Sequence, residues 1–132
     1  MSSFKIEGGH SLKGEISPQG AKNEALQVLC ATLLTKDKVI IDNLPDIIDV
    51  NKLILLLKNL GVIINKLDQG KYEFQASEVD INYLESKQFK VDGKGLRGSI
   101  MLVGPLLGRF GTGSIPRPGG DKIGRRRLDT HF

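Results

Sequence analysis

The fold class follows from residues 38–77, which read KVIIDNLPDIIDVNKLILLLKNLGVIINKLDQGKYEFQAS. Residues 38–42 are typical of a strand that ends at the turn sequence NLP. Apolar side chains then recur at helical spacing over residues 47–60, and Gly61 stands where a helix C-cap glycine is expected. The buried stripe of this helix is predicted to comprise Val50, Leu53, Ile54, Leu57 and Leu60.

Two short strands are predicted after this helix. Residues 62–64 are apolar, the aromatic residues Tyr72 and Phe74 alternate with the charged Glu73, and the sequence DQG at residues 68–70 is a turn signal between the two segments. Residues 38–77 therefore form one β-α-β-β unit. Because strands and helices alternate, we predict an α/β fold with helices on one side of a mixed sheet.

A hairpin and a helix are predicted upstream of this unit. Residues 4–6 and 12–16 alternate apolar and polar side chains, and Gly8-Gly9 separates them, which favours a hairpin. After the turn PQG at residues 18–20, a helix is predicted with an apolar stripe of Leu26, Leu29, Cys30 and Leu33. Cys30 is interpreted as a buried apolar residue.

Lys22 and Asn23 fall in the first turn of that helix, beside unpaired backbone N–H groups and the positive end of the helix dipole. An anion is favoured at such a position. The alternative is that Lys22 is solvated and Asn23 caps the helix. Position alone leaves both interpretations open.

A third helix is predicted over residues 96–109, with Leu96, Ile100, Val103 and Leu107 on one face. Gly104 and Pro105 predict a kink in it. Residues 112–115 are predicted to be a strand that leads into a glycine-rich loop.

That loop, residues 110–127, reads FGTGSIPRPGGDKIGRRR. Between Arg109 and Arg127 there are six basic residues and one acidic residue, so most of the net charge of +4 is concentrated here. Glycines let a ligand approach the backbone, and the cations favour an anionic partner. A small phosphorylated ligand, a nucleic acid bound by Arg125–Arg127, and an exposed basic turn all remain open, although no aromatic residue is interleaved for base stacking.

The composition is that of a globular domain, with 39% hydrophobic and 26% charged residues. No apolar run reaches the roughly 18 residues that a membrane span needs, and the N-terminus lacks the apolar core of a signal peptide. One cysteine excludes an internal disulfide. We therefore expect a cytoplasmic protein without membrane attachment.

Three motifs in register carry a resemblance: GAKNEAL from residue 20, LRGSIMLVGPLLGRFG from residue 96 and PGGDKIGRRRLDTH from residue 118. Together they resemble the UDP-N-acetylglucosamine enolpyruvyl transferases (1-carboxyvinyltransferases). The related shikimate-pathway enzymes have a serine-rich lysine motif, unlike GAKN. The resemblance implies an inside-out α/β barrel of β-α-β-α-β-β repeats, with residues 1–21 joining the C-terminal domain and residues 22–132 forming an incomplete N-terminal domain.

The implied reaction transfers the enolpyruvyl group of phosphoenolpyruvate to the 3-hydroxyl of UDP-N-acetylglucosamine and releases phosphate, the first committed step of peptidoglycan synthesis. The resemblance implies no cofactor, metal, nucleic acid or membrane partner. The final residues, LDTHF, look unfinished, so we expect the front part of a longer protein, inactive without its other domain.

The resemblance also assigns site residues. Lys22 matches a lysine that binds phosphoenolpyruvate, and Asn23 matches a residue near the sugar and phosphoenolpyruvate. Asp121 takes the place of a proton donor. The residues implied to bind UDP-N-acetylglucosamine are Arg97, Arg126, Arg127, Leu128, Asp129 and Thr130.

Two residues depart from the usual family pattern. Position 121 is commonly a cysteine, although aspartate is a known alternative, and position 127 is commonly a proline. A thiol is protonated at neutral pH, whereas an ordinary aspartate is not. Asp121 can donate a proton only if the anionic substrates and desolvation favour its protonated form. We expect insensitivity to fosfomycin, the epoxide that alkylates the family thiol.

Overall fold

The computed structural model describes residues 3–116. Four α-helices and three strands occur in this part of the chain, in the order α1, β1, α2, β2, β3, α3, α4. Their bounds are Lys22–Ala31 (α1), Lys38–Ile41 (β1), Ile48–Asn59 (α2), Ile63–Asp68 (β2), Lys71–Gln75 (β3), Lys87–Lys94 (α3) and Val103–Phe110 (α4). Short 3₁₀ segments span Thr32–Leu34, Ile81–Glu85 and Arg97–Leu102.

The β-α-β-β prediction for residues 38–77 is confirmed. The sheet has the order β1-β3-β2, and β3 pairs with both neighbours antiparallel. Gly61 has φ +95° after α2, and Gly70 has φ +69° in the β2–β3 turn, which are backbone angles that favour glycine. The expectation of a mixed sheet is wrong for the described strands. β3 lies between β1 and β2. These two strands run in the same direction but do not pair with each other, so the sheet contains only antiparallel pairs.

The core lies where α1 and α2 pack against each other, and Phe74 of β3 belongs to the same cluster of buried side chains. The predicted stripe of α1 is fully buried. On α2 the prediction missed Leu56, which is buried, and included Ile54, which is half-buried. Burial raises the pKa of the Cys30 thiol to about 12, so this side chain is a neutral core residue, as predicted.

The predicted N-terminal hairpin is wrong. Residues 3–21 form no strand, and Phe4, Ile6, Leu12 and Ile16 are all about nine-tenths exposed or more. An isolated two-stranded ribbon is marginal in water, because its apolar face has nothing to pack against. Apolar and polar side chains do alternate in these residues, but no described strand pairs with them and no described residue covers their apolar side chains.

The prediction of one helix over residues 96–109 is also wrong in part. The chain forms the 3₁₀ segment Arg97–Leu102 and then α4, so the break comes before the predicted kink. A 3₁₀ helix has three residues per turn instead of about 3.6, so the positions that face the core differ from those of one continuous α-helix. Leu102 and Leu106 are consequently buried, while Leu107 is about half exposed. Pro105 lies in the first turn of α4, where a missing N–H costs little.

Two further differences occur near this region. Residues 112–115 form no strand. The predicted elements do not include Ile81–Glu85 or α3, which are short and mostly polar segments. Phe89 anchors α3 in the core, and the Ser86 side chain caps it by accepting from the Phe89 N–H at 3.0 Å.

Arg109 is half-buried and makes structural contacts within the fold, although the sequence grouped it with the basic loop. Its guanidinium donates to the backbone oxygens of Leu33 at 2.7 Å, Thr35 at 3.0 Å and Ala76 at 2.7 Å. The side chain therefore joins α4 to three other places: the 3₁₀ segment Thr32–Leu34 after α1, the connection to β1 and the residue that follows β3.

We expect Arg109→Ala to lower the free energy of unfolding by about 3 kcal/mol, because three acceptors lose a charged donor. Arg109→Lys is expected to recover only part of this loss, since one ammonium lacks the fork of the guanidinium. Urea unfolding followed by circular dichroism measures both. An alanine variant as stable as the parent chain would contradict the assigned role.

Within the described residues, no helix has both the length and the apolar character needed to cross a membrane.

Candidate functional site

A cleft of about 480 Å³ opens where the first turns of α1 and α2 meet the 3₁₀ segment Arg97–Leu102. Its floor is partly apolar, and its charged groups come from three different elements. The lining residues are Lys22, Asn23, Leu26, Gln27, Asp49, Gly95, Arg97, Gly98, Ile100 and Met101.

The N-terminus of α1 forms one wall of the cleft. Lys22 and Asn23 are its first two residues, and the preceding residue, Ala21, offers no side-chain cap to the first backbone N–H groups. These donors, together with the helix dipole, favour an anion. Gly20 sets the entry into the helix, because a Cβ there would collide with the backbone oxygen of Asn43.

Lys22 forms an ion pair with Asp49, which lies in the first turn of α2. The side chain of Lys22 is 51% exposed and that of Asp49 is 33% exposed, so the pair is open to solvent. Solvent-exposed ion pairs contribute little to stability, about 0–1 kcal/mol. The pair can therefore exchange for another anion without a large cost to the fold.

Arg97 lines the part of the cleft formed by the 3₁₀ segment Arg97–Leu102 and is half-buried. Within residues 3–116, no carboxylate oxygen lies within 4.0 Å of its guanidinium. Gly98 allows the 3₁₀ segment to approach α1 closely, since a Cβ there would come within 2.9 Å of Leu26 Cδ1. The glycine thereby brings Arg97 to the same cleft as Lys22.

Asp92 supports this part of the cleft from outside. Its carboxylate accepts from the Tyr83 hydroxyl at 2.9 Å, from Gln88 Nε2 at 2.8 Å and from Asn59 Nδ2 at 3.4 Å. Desolvation, reinforced by the hydrogen bond to Asp92, raises the pKa of Tyr83 above its usual value. These contacts fix α3 against α2, and α3 ends directly before the turn that carries Arg97.

Of the predicted site residues, Lys22, Asn23 and Arg97 lie in one cleft. The other predicted residues lie outside the described part of the chain: Asp121, Arg126, Arg127, Leu128, Asp129 and Thr130. The sequence interpretation missed Asp49. The sequence did offer one signal: Asp49 is an acidic residue in the first turn of α2, which was predicted as a helix. The ion pair shows that this turn lies near the first turn of α1.

Among the described side chains that line the cleft, two are cations and one is an anion. The excess positive charge, the backbone donors of α1 and the Asn23 amide suit an anionic ligand that also forms hydrogen bonds. The arrangement can bind and orient such a ligand. The groups described in the cleft do not include an obvious proton donor for carbon.

Residues 6–132 match the family model described as EPSP synthase (3-phosphoshikimate 1-carboxyvinyltransferase). Over all 132 residues the chain is 59% identical to a protein of Bacteroides fragilis, 58% to one of Porphyromonas gingivalis and 39% to one of Wolinella succinogenes. Each of these relatives is named UDP-N-acetylglucosamine 1-carboxyvinyltransferase. The chain spans 30% of the length of each of them.

Proposed function

Because the chain belongs to the EPSP synthase family, we propose that it is the N-terminal part of a UDP-N-acetylglucosamine 1-carboxyvinyltransferase. The observation that carries this proposal is the 59% identity over the whole chain to a relative of that name. The motif GAKN, which differs from the serine-rich motif of the shikimate-pathway enzymes, supports the choice between the two substrate classes.

The proposed reaction transfers the enolpyruvyl group from phosphoenolpyruvate to the 3-hydroxyl of UDP-N-acetylglucosamine. Protonation of the methylene carbon and attack by the hydroxyl form a tetrahedral intermediate, and this intermediate eliminates inorganic phosphate. The product is the first committed precursor of peptidoglycan, so the enzyme acts in the cytoplasm, where both substrates are made.

The cleft supports specific roles for three described residues. The Lys22 ammonium and the N-terminal backbone donors of α1 bind the phosphate of phosphoenolpyruvate and stabilise charge as that phosphate leaves. Asn23 hydrogen-bonds near the sugar. Arg97, which has no described carboxylate partner, binds an anionic group of the sugar nucleotide.

The remaining roles are assigned from sequence alone. Asp121 is the proton donor for the methylene carbon. The diphosphate and uridine are bound by the segment that begins at Arg126, with the residues Arg126, Arg127, Leu128, Asp129 and Thr130. Five basic residues between positions 117 and 127 balance the charge of two anionic substrates.

The proposal extends to the domain arrangement. Residues 1–21 add strands to the other domain of the enzyme, and residues 22–132 are part of an α/β domain in an inside-out barrel. The exposed alternating apolar side chains of residues 4–16 support the first point, because they pair with a sheet only when a partner supplies one. Without that domain the cleft lacks its second half, so residues 1–132 alone do not turn over substrate.

Phosphate release tests the proposal. We expect the intact enzyme that contains this chain to release inorganic phosphate from phosphoenolpyruvate only when UDP-N-acetylglucosamine is present. The control replaces the sugar nucleotide with 3-phosphoshikimate, the substrate after which the family is described. Release with 3-phosphoshikimate but not with the sugar nucleotide would overturn the substrate assignment, and release by residues 1–132 alone would overturn the two-domain requirement.

A further inference from the structure

We propose that Asp49 is a positioning residue for this reaction: its carboxylate holds the Lys22 ammonium in the cleft until an anionic substrate takes over that charge. The inference rests on the proposed function and adds a residue to it. It starts from the ion pair between the two side chains, which joins the first turn of α1 to the first turn of α2.

The placement of Asp49 distinguishes it from the other acid near the start of α2. Asp49 lines the same cleft as Lys22 and Arg97. Asp46 instead accepts a hydrogen bond from Asn51 Nδ2 at 2.8 Å and lines a separate, much smaller pocket. Both carboxylates are near one helix N-terminus, but only Asp49 contacts the lysine of the cleft.

Two buried helices fix the positions of the paired groups. α1 and α2 pack against each other through the core, with Leu29 and Leu53 both fully buried. The backbones that carry Lys22 and Asp49 therefore move little, whereas a free lysine side chain samples many rotamers. The ion pair restricts the ammonium to the part of the cleft next to the uncapped N–H groups of α1.

The pair is also exchangeable. Both side chains are partly exposed, so solvent screens their attraction. A phosphate group carries more charge than one carboxylate and also accepts hydrogen bonds from the α1 backbone. Phosphoenolpyruvate can therefore take the ammonium from Asp49, while the lysine remains near its bound position.

Removing the Asp49 charge has two opposed effects on substrate binding. The anionic substrate no longer competes with a carboxylate, which favours binding, but Lys22 is less well oriented, which opposes it. These effects offset each other in KM. Only the loss of orientation acts on the chemical step, where small misplacements of a charged group are costly. The inference thus predicts a change in kcat with little change in KM.

The kinetic test compares Asp49→Asn, Asp49→Glu and Asp46→Asn with the parent in the intact enzyme. We expect Asp49→Asn to lower kcat between about tenfold and a hundredfold, with KM for phosphoenolpyruvate within about threefold of the parent. Asp49→Glu keeps the carboxylate and is expected to give an intermediate kcat. The matched control Asp46→Asn removes the same charge from the same end of α2 and is expected to keep the parental kcat.

Two kinetic outcomes would overturn the inference and leave the proposed function intact. One is an Asp49→Asn enzyme with parental kcat. The other is an equal loss of kcat in Asp49→Asn and Asp46→Asn, which would show a general effect of charge at the start of α2. Urea unfolding of each variant separates such effects from loss of the fold.

Crystal structures of the parent enzyme and of Asp49→Asn provide a readout that does not depend on turnover. The Lys22 ammonium is expected to leave its position beside residue 49 in the variant. An unchanged ammonium position would overturn the inference even if the parent shows no transferase activity. Absence of that activity, with displacement of Lys22 in the variant, would refute the proposed reaction and leave standing only that Asp49 holds the Lys22 ammonium in the cleft.

Discussion

Replacing Lys22 with glutamine is expected to lower kcat/KM for phosphoenolpyruvate about a thousandfold in the intact enzyme, the loss typical for removal of a donor that stabilises developing charge. The substitution removes one of two cations from the described lining of the cleft, and Asp49 then offsets the charge of Arg97. The cleft loses its positive excess and becomes a poorer site for a phosphate dianion. Steady-state phosphate release over a range of phosphoenolpyruvate concentrations measures the effect.

Lys36→Gln is the matched control. Lys36 is an exposed lysine in the connection to β1 and does not line the cleft, so the same loss of charge is expected to leave kcat/KM unchanged. Lys22 is itself half exposed, and its ion pair contributes little to stability, so the variant should unfold at the parental urea concentration. A Lys22→Gln enzyme with parental kcat/KM would refute the role of the α1 terminus in binding phosphoenolpyruvate.

The second large effect concerns fosfomycin. We expect the enzyme with Asp121 to keep full activity in the presence of this epoxide, and Asp121→Cys to be inactivated completely, because a thiol is the nucleophile that the epoxide alkylates. Mass spectrometry of the intact protein detects the adduct. Cys30 serves as an internal control: it is buried, and burial raises its pKa to about 12, so the parent chain is expected to carry no adduct.

The same pair of enzymes tests the proton-donor role of Asp121. A general acid must be protonated to act, so activity falls as pH rises through the pKa of the donor. A thiol has an ordinary pKa of about 8.5 and a carboxylic acid about 3.9. The enzyme with Asp121 is therefore expected to lose activity at a lower pH than Asp121→Cys. Identical pH–rate profiles would contradict this role, whereas an Asp121 adduct with fosfomycin would contradict the expected insensitivity to the epoxide.

Local patterns in the sequence were sufficient where one segment determines its own structure. The helical stripe of α1, the glycine after α2 and the DQG turn are all confirmed, because helix periodicity and positive φ angles depend on neighbouring residues. The failures have a common cause. Residues 4–16 alternate correctly for strands but have no sheet to join, and the segment over residues 97–110 changes its helical pitch where it packs against α1 and the core.

The sequence by itself determined the family, the α/β class and the identity of Lys22, Asn23 and Arg97 as residues of interest, because motif spacing and periodicity are properties of the chain alone. Tertiary structure decided which charges face one another. It brought Arg97 to the same cleft as Lys22, paired Lys22 with Asp49, and directed Arg109 to three backbone oxygens. Such pairings join residues from 27 to 76 positions apart, and they depend on how the helices pack rather than on any local pattern.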